Sequence, residues 1–111
     1  MEILVKYQGN NAILRISEDI LGDDRIHLNE KIQELVDNGV ENIVLNFKDA
    51  GLMDSVGLGM LVALKTALSR TQARLVLSNV GRSIEHLLLI TKLNRVFERY
   101  DTEDEALARL E

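Results

Sequence analysis

The chain contains no cysteine, no proline and no tryptophan. Without cysteine there are no disulfides, no thiolate metal sites and no cysteine nucleophile. Without proline no domain boundary is marked, and 111 residues suffice for one compact domain, residues 1–111, but not for two. A domain of this size buries roughly 65% of its unfolded surface and needs no covalent staple. Aromatic residues are scarce: Tyr7, Phe47, Phe97 and Tyr100 offer no base-stacking platform. A basic excess is missing too. The net charge is −5, which disfavours direct nucleic-acid binding, because that affinity comes largely from Lys and Arg on phosphates. The longest apolar run, Gly57 to Leu64, falls far short of the ~20 residues that span a bilayer, so no membrane insertion is expected. Met1-Glu2-Ile3-Leu4-Val5-Lys6 has an early acid and lacks the pattern of a secretory leader. A cytoplasmic protein is expected, and any link to transcription would run through another protein.

What is present is regular alternation. Ile3–Tyr7 and Ala12–Ile16 read as strands joined by Gln8-Gly9-Asn10-Asn11, turn residues suited to a hairpin. Residues 17–24 are polar and acidic. Their spacing does not match a calcium loop, and a solvated loop ending in a helix cap is expected. Leu28, Ile32, Leu35 and Val36 form one stripe of a helix, closed at Gly39. Strand Ile43–Phe47 follows. A helix to about Ser69 turns Met60, Leu61, Leu64, Ala67 and Leu68 inward. Then come strand Arg74–Ser78, a helix from Ser83 to about Lys92, and strand Val96–Tyr100. Thr102-Glu103-Asp104-Glu105 is a capping box opening a terminal helix. The order is β-β-α-β-α-β-α-β-α. It implies an α/β domain whose mixed, mostly parallel sheet carries an N-terminal hairpin at its edge and helices packed against it.

The chain is organised around Leu52-Met53-Asp54-Ser55-Val56-Gly57-Leu58-Gly59, between a buried strand and a helix. Asp54 or Ser55 is a natural N-cap. Two glycines in the first turns of a helix each cost roughly 1 kcal/mol against alanine, which suggests close approach by another backbone or molecule. A serine presented here is also a candidate for modification. Phosphoserine carries about −1.5 to −2 charges, which the positive end of a helix dipole tolerates.

Enzyme motifs fail in turn. Met53-Asp54-Ser55-Val56-Gly57 lacks the first glycine of a nucleophile elbow, and His86 is the only histidine after Ser55. Gly57-Leu58-Gly59 lacks the third glycine of a dinucleotide fingerprint, since Val62 stands there. His27 and His86 have no ligand partners at metal spacing. Arg82, after a turn, is only a weak phosphate signal. No catalysis, metal or cofactor is expected.

Asn46-Phe47-x-x-Ala50-x-Leu52-Met53-Asp54-Ser55-Val56-Gly57-Leu58-Gly59 resembles the core signature of STAS domains, and within them the bacterial anti-sigma factor antagonists. The resemblance covers nearly the whole chain, from the opening strand pair to Glu105-Ala106-Leu107. It implies a mixed sheet with helices mainly on one side. It also implies partner switching. The unphosphorylated protein binds an anti-sigma factor that is also a serine kinase and frees the sigma factor. Phosphorylation, carried over to Ser55, switches binding off, and a metal-dependent serine phosphatase acting on phospho-Ser55 restores it. The expected partner surface is Asp23, Asp54, Ser55, Val56, Gly57, Leu58 and Gly59. The alternative is a STAS subunit of a signalling scaffold or lipid-transport complex, acting as an interaction module. One departure stands out. The family's Gly-Glu-Leu-Asp-like segment reads Leu21-Gly22-Asp23-Asp24-Arg25-Ile26 here, with Asp23 matching the first acid and Arg25 near the place of the aspartate. The departure implies either an unusual partner or a divergent branch of the family.

Overall fold

The hairpin and the strand–helix alternation are present in the computed structural model, which describes residues 2–17 and 24–110, the side chains of Asp24 and Arg25 excepted. Strands β1 (Glu2–Gln8) and β2 (Asn11–Ser17) pair antiparallel across a two-residue turn. Gly9 there takes φ +62°, a conformation open to glycine at no steric cost. Then follow α1 (Asp24–Asp37), β3 (Asn42–Asp49), α2 (Ser55–Leu68), β4 (Arg74–Ser78), α3 (Arg82–Ile90), β5 (Glu98–Tyr100) and α4 (Glu103–Leu110). The five strands lie in chain order in one sheet, with β2 to β5 mutually parallel.

The period of two decides which face each strand residue serves. Ala12, Leu14 and Ile16, with Ile43, Leu45, Phe47, Leu75 and Leu77, line one face. Leu28, Ile32 and Leu35 of α1, Leu61, Leu64 and Leu68 of α2, and Ile84 and Leu88 of α3 pack onto it. The intervening Ile13, Val44 and Val76 point the other way, under Ala106 and Leu107 of α4. Three helices thus cover one face and one short helix part of the other. Because β2 to β5 run parallel, their carboxyl ends share one edge of the sheet with the N-termini of α2, α3 and α4.

Two boundaries and one facing differ from expectation. Strand β5 starts at Glu98 rather than Val96, because Phe97 turns into the core ahead of the pairing and Val96 is exposed. Helix α3 ends at Ile90, where Thr91 Oγ1 donates to the Leu87 carbonyl at 2.7 Å and Lys92 takes φ +61°. Ala67 lies on the exposed side of α2, since Leu58, Met60, Leu61, Leu64 and Leu68 already fill the inward stripe.

Charge pairs fasten the second face. Arg74 holds Glu98 in a two-pronged pair, with Nε donating at 2.8 Å, and this keeps the Glu98 carboxyl below its usual range despite partial burial. Burial pushes the Glu103 carboxyl up, but hydrogen bonds from Asn46 and Lys6 outweigh it and leave the group lowered. A carboxyl depressed on folding adds stability above its unfolded value, and that stability is lost as pH falls through the folded value. Urea unfolding midpoints are therefore expected to drop between about pH 5 and about pH 3. Replacing both glutamates by glutamine should flatten that limb.

Candidate functional site

The turn between β3 and α2 is built from alternating pegs and exposed residues. Ala50 N–H donates to the Phe47 carbonyl at 3.1 Å, closing the strand end. Ala50 and Met53 are buried and pin the turn to the core, while Gly51 and Leu52 between them are exposed. Asp54 is the N-cap of α2. Its backbone is extended, its Oδ1 accepts from Gly57 N–H at 2.7 Å, and its carbonyl accepts from Leu58 N–H at 3.0 Å. The capping role therefore falls to Asp54 and not to Ser55. Ser55 is the first helical residue and is exposed.

Two exposed apolar side chains flank Ser55. Leu52 is 50% exposed and Val56 is 45% exposed. Burying such side chains against another protein is worth about 25 cal/mol per Å² of apolar area. Gly59 is exposed one turn further on, and a Cβ built there meets nothing within 4 Å. Gly57 and Leu58 face inward. Of the sequence-nominated surface, Asp54, Ser55, Val56 and Gly59 are at least partly accessible, whereas Gly57 and Leu58 hold the turn from below. Asp23, with the rest of the expected acidic loop at residues 18–23, lies outside the described residues. Leu52 is the residue that sequence reasoning passed over. Its signal is an apolar side chain at a strand-to-helix turn between two small or buried neighbours.

A polar brace runs beneath the turn. Asn46, buried in β3, donates from Nδ2 to Glu103 Oε1 at 3.1 Å and accepts from Lys48 N–H at Oδ1 at 2.8 Å. The first turn of α4 is thus tied to the strand end that carries the site. Arg15 pairs with Asp49 at 2.7 Å on the same edge. A depression of about 460 Å³ beside the N-terminus of α3 is lined by Arg82, Glu85 and Arg99, among others, and Ser55 does not line it. Arg99 is already paired with Glu85. His86 is partly exposed on α3. Among the described residues, no group of three or more His, Cys, Asp or Glu could hold a metal ion, and no helix is long and apolar enough to cross a membrane.

Asp54→Ala should destabilise the domain by about 1 kcal/mol, since it strands the amide that Asp54 caps. Ser55→Ala should change stability by less than about 0.5 kcal/mol, as befits an exposed side chain with no capping role. Urea unfolding of the two variants against the parent checks both.

A family model for the STAS domain matches residues 2–106. The chain belongs to the STAS domain family. The TM1081 homolog of Thermotoga neapolitana, described as an anti-sigma factor antagonist, is 30% identical over 103 residues, covering 91% of each chain. The anti-sigma F factor antagonist of Paenibacillus polymyxa is 25% identical over 116 residues, covering 100% of this chain and 96% of its own. Among solved structures, the anti-sigma factor antagonist SpoIIAA superposes in its unphosphorylated form with a TM-score of 0.82 at 20% identity, over 98% of this chain and 96% of that one. The phosphorylated form of the Bacillus cell-fate determinant SpoIIAA gives 0.76 at 20% identity, over 99% and 100%. At that identity the likeness speaks for the fold, and the STAS fold is the one described above.

Proposed function

We propose that this STAS protein is an anti-sigma factor antagonist whose docking surface is the β3–α2 turn and whose switch is phosphorylation of Ser55. One observation carries the reading: a serine at the first helical position, exposed, with Asp54 supplying the cap and exposed Leu52 and Val56 on either side. An apolar collar around a modifiable hydroxyl suits a protein partner. Two relatives named as anti-sigma factor antagonists over nearly full length support the class of partner.

The mechanism follows from charge. Phosphate at the first position of α2 sits at the positive end of the helix dipole, so the free domain keeps its fold. Inside a closed interface the same dianion meets Leu52, Val56 and the neighbouring Asp54 carboxylate. It must be desolvated or expelled, which costs several kcal/mol. The anti-sigma factor doubles as the serine kinase, and release follows its own reaction. A serine phosphatase returns phospho-Ser55 to serine and the protein to the binding state.

Incubation with a serine kinase encoded beside a sigma factor gene, plus ATP, should place one phosphate on Ser55 by mass spectrometry and none on Ser55→Ala. Backbone amide spectra should move within about residues 50–65 and match elsewhere. Spectra changing throughout the sheet would show refolding and rule out switching at the interface.

Gly59 separates binding from folding. Alanine there meets no neighbour and should stabilise the free domain by about 0.5–1 kcal/mol. The same methyl on the docking face should weaken partner affinity. A variant that is both more stable and equally tight would remove Gly59 from the surface.

A further inference from the structure

The N-terminal strand offers a second interaction surface, two strands away from β3, which leads into the Ser55 turn. β1 is an edge strand of seven residues, hydrogen-bonded in the sheet to β2. A long edge with exposed apolar side chains invites pairing with another strand. Leu4 is 55% exposed on the face where α4 sits. α4 packs over β3, β4 and β5 and covers Ile13 of β2, while Leu4 of β1 stays exposed beyond it. A groove of about 180 Å³ runs there, with Leu4, Val5 and Ile13 as its apolar part and Lys6, Arg15 and Glu103 as its charged part.

We infer that two copies of this chain associate by antiparallel pairing of β1 with β1, centred on Leu4, to make one ten-stranded sheet. The occupant is a second copy because the strand is complementary to itself. A two-fold axis perpendicular to the sheet keeps facing residues on the same face, so only registers centred on a residue are allowed. Centring on Leu4 sets Glu2 opposite Lys6 twice, Ile3 opposite Val5 twice, and Leu4 against Leu4. Centring on Ile3 sets Glu2 against Leu4. Centring on Val5 sets Leu4 against Lys6. Centring on Lys6 opposes two ammonium groups. Directly opposed charges of unlike sign stabilise a strand pair and like charges destabilise it, so one register is selected.

The described residues permit it. Glu2, Leu4 and Lys6 are all exposed. Lys6 reaches Glu103 at 3.1 Å, and an ammonium with three donors can serve both that carboxylate and the second copy's Glu2. β1 lies two strands from β3, and the axis reverses strand direction. The two Ser55 turns therefore end on opposite edges of the joint sheet, each free to dock its own partner.

Sedimentation equilibrium on the full chain tests this through charge reversal. The parent should dimerise reversibly. Glu2→Lys alone opposes lysines and Lys6→Glu alone opposes glutamates, so each should weaken dimerisation by about tenfold or more. Mixing the two variants sets the introduced lysine of one copy opposite the introduced glutamate of the other. The native Lys6 and Glu2 that remain then face each other at the second pair. The mixture should therefore regain the dimer, as a heterodimer. Circular dichroism shows that each variant is folded. A parent that stays monomeric to millimolar concentration, or variants that dimerise as well apart as together, overturns the pairing. Neither result touches the Ser55 switch.

Discussion

Ser55→Glu is expected to bind the cognate anti-sigma factor kinase about two orders of magnitude more weakly than the parent, while Ser55→Ala binds as the parent does and cannot be released by ATP. The magnitude follows from burying one carboxylate among Leu52, Val56 and Asp54, at a few kcal/mol, with each 1.4 kcal/mol worth tenfold. Stability separates this from misfolding. Ser55 is exposed and the cap belongs to Asp54, so neither variant should shift the unfolding midpoint appreciably. Calorimetric titration against the purified kinase gives the affinities. Equal binding by glutamate and alanine would leave the scaffold or transport-subunit reading of a STAS domain as the better one.

Phe47→Ala is expected to cost about 3–5 kcal/mol of folding stability. Phe47 is 1% exposed at the end of the buried run of β3, and its carbonyl accepts the Ala50 amide that starts the turn. Total stability for a domain of this size is about 5–15 kcal/mol, so the variant should be marginal at ordinary temperature. Phe47→Leu keeps most of the volume and should cost about 1 kcal/mol. Urea unfolding distinguishes them. A loss below about 1 kcal/mol for alanine would mean that the ring is not the keystone between the sheet and the three helices. The partner should still bind whatever fraction remains folded, because Phe47 lies beneath the docking surface and not on it.

Local chemistry made much of this fold readable. Gly9 and Gly39 at positive φ, the Thr102 cap accepting from Glu105 N–H at 3.1 Å, and the continuous apolar runs buried in β2 and β3 are all short-range features. Tertiary competition decided what was not readable. Phe97 looks like a strand residue, but the core claims it before pairing begins. Ala67 fits an inward stripe by spacing, yet larger neighbours had filled it. At the site, the sequence left the cap open between Asp54 and Ser55. Only the backbone path showed that the carboxylate turns back to Gly57 and leaves the serine outside. The Asn46–Glu103 brace joins residues far apart in the chain and has no local signal.

On the reading proposed above, one added phosphate governs docking. Titrating the anti-sigma factor kinase with the chain before and after stoichiometric phosphorylation of Ser55 tests it most directly. Tight binding before and a loss of at least about a hundredfold after is the predicted result. Unchanged affinity in a protein carrying a mapped phosphate on Ser55 would contradict it.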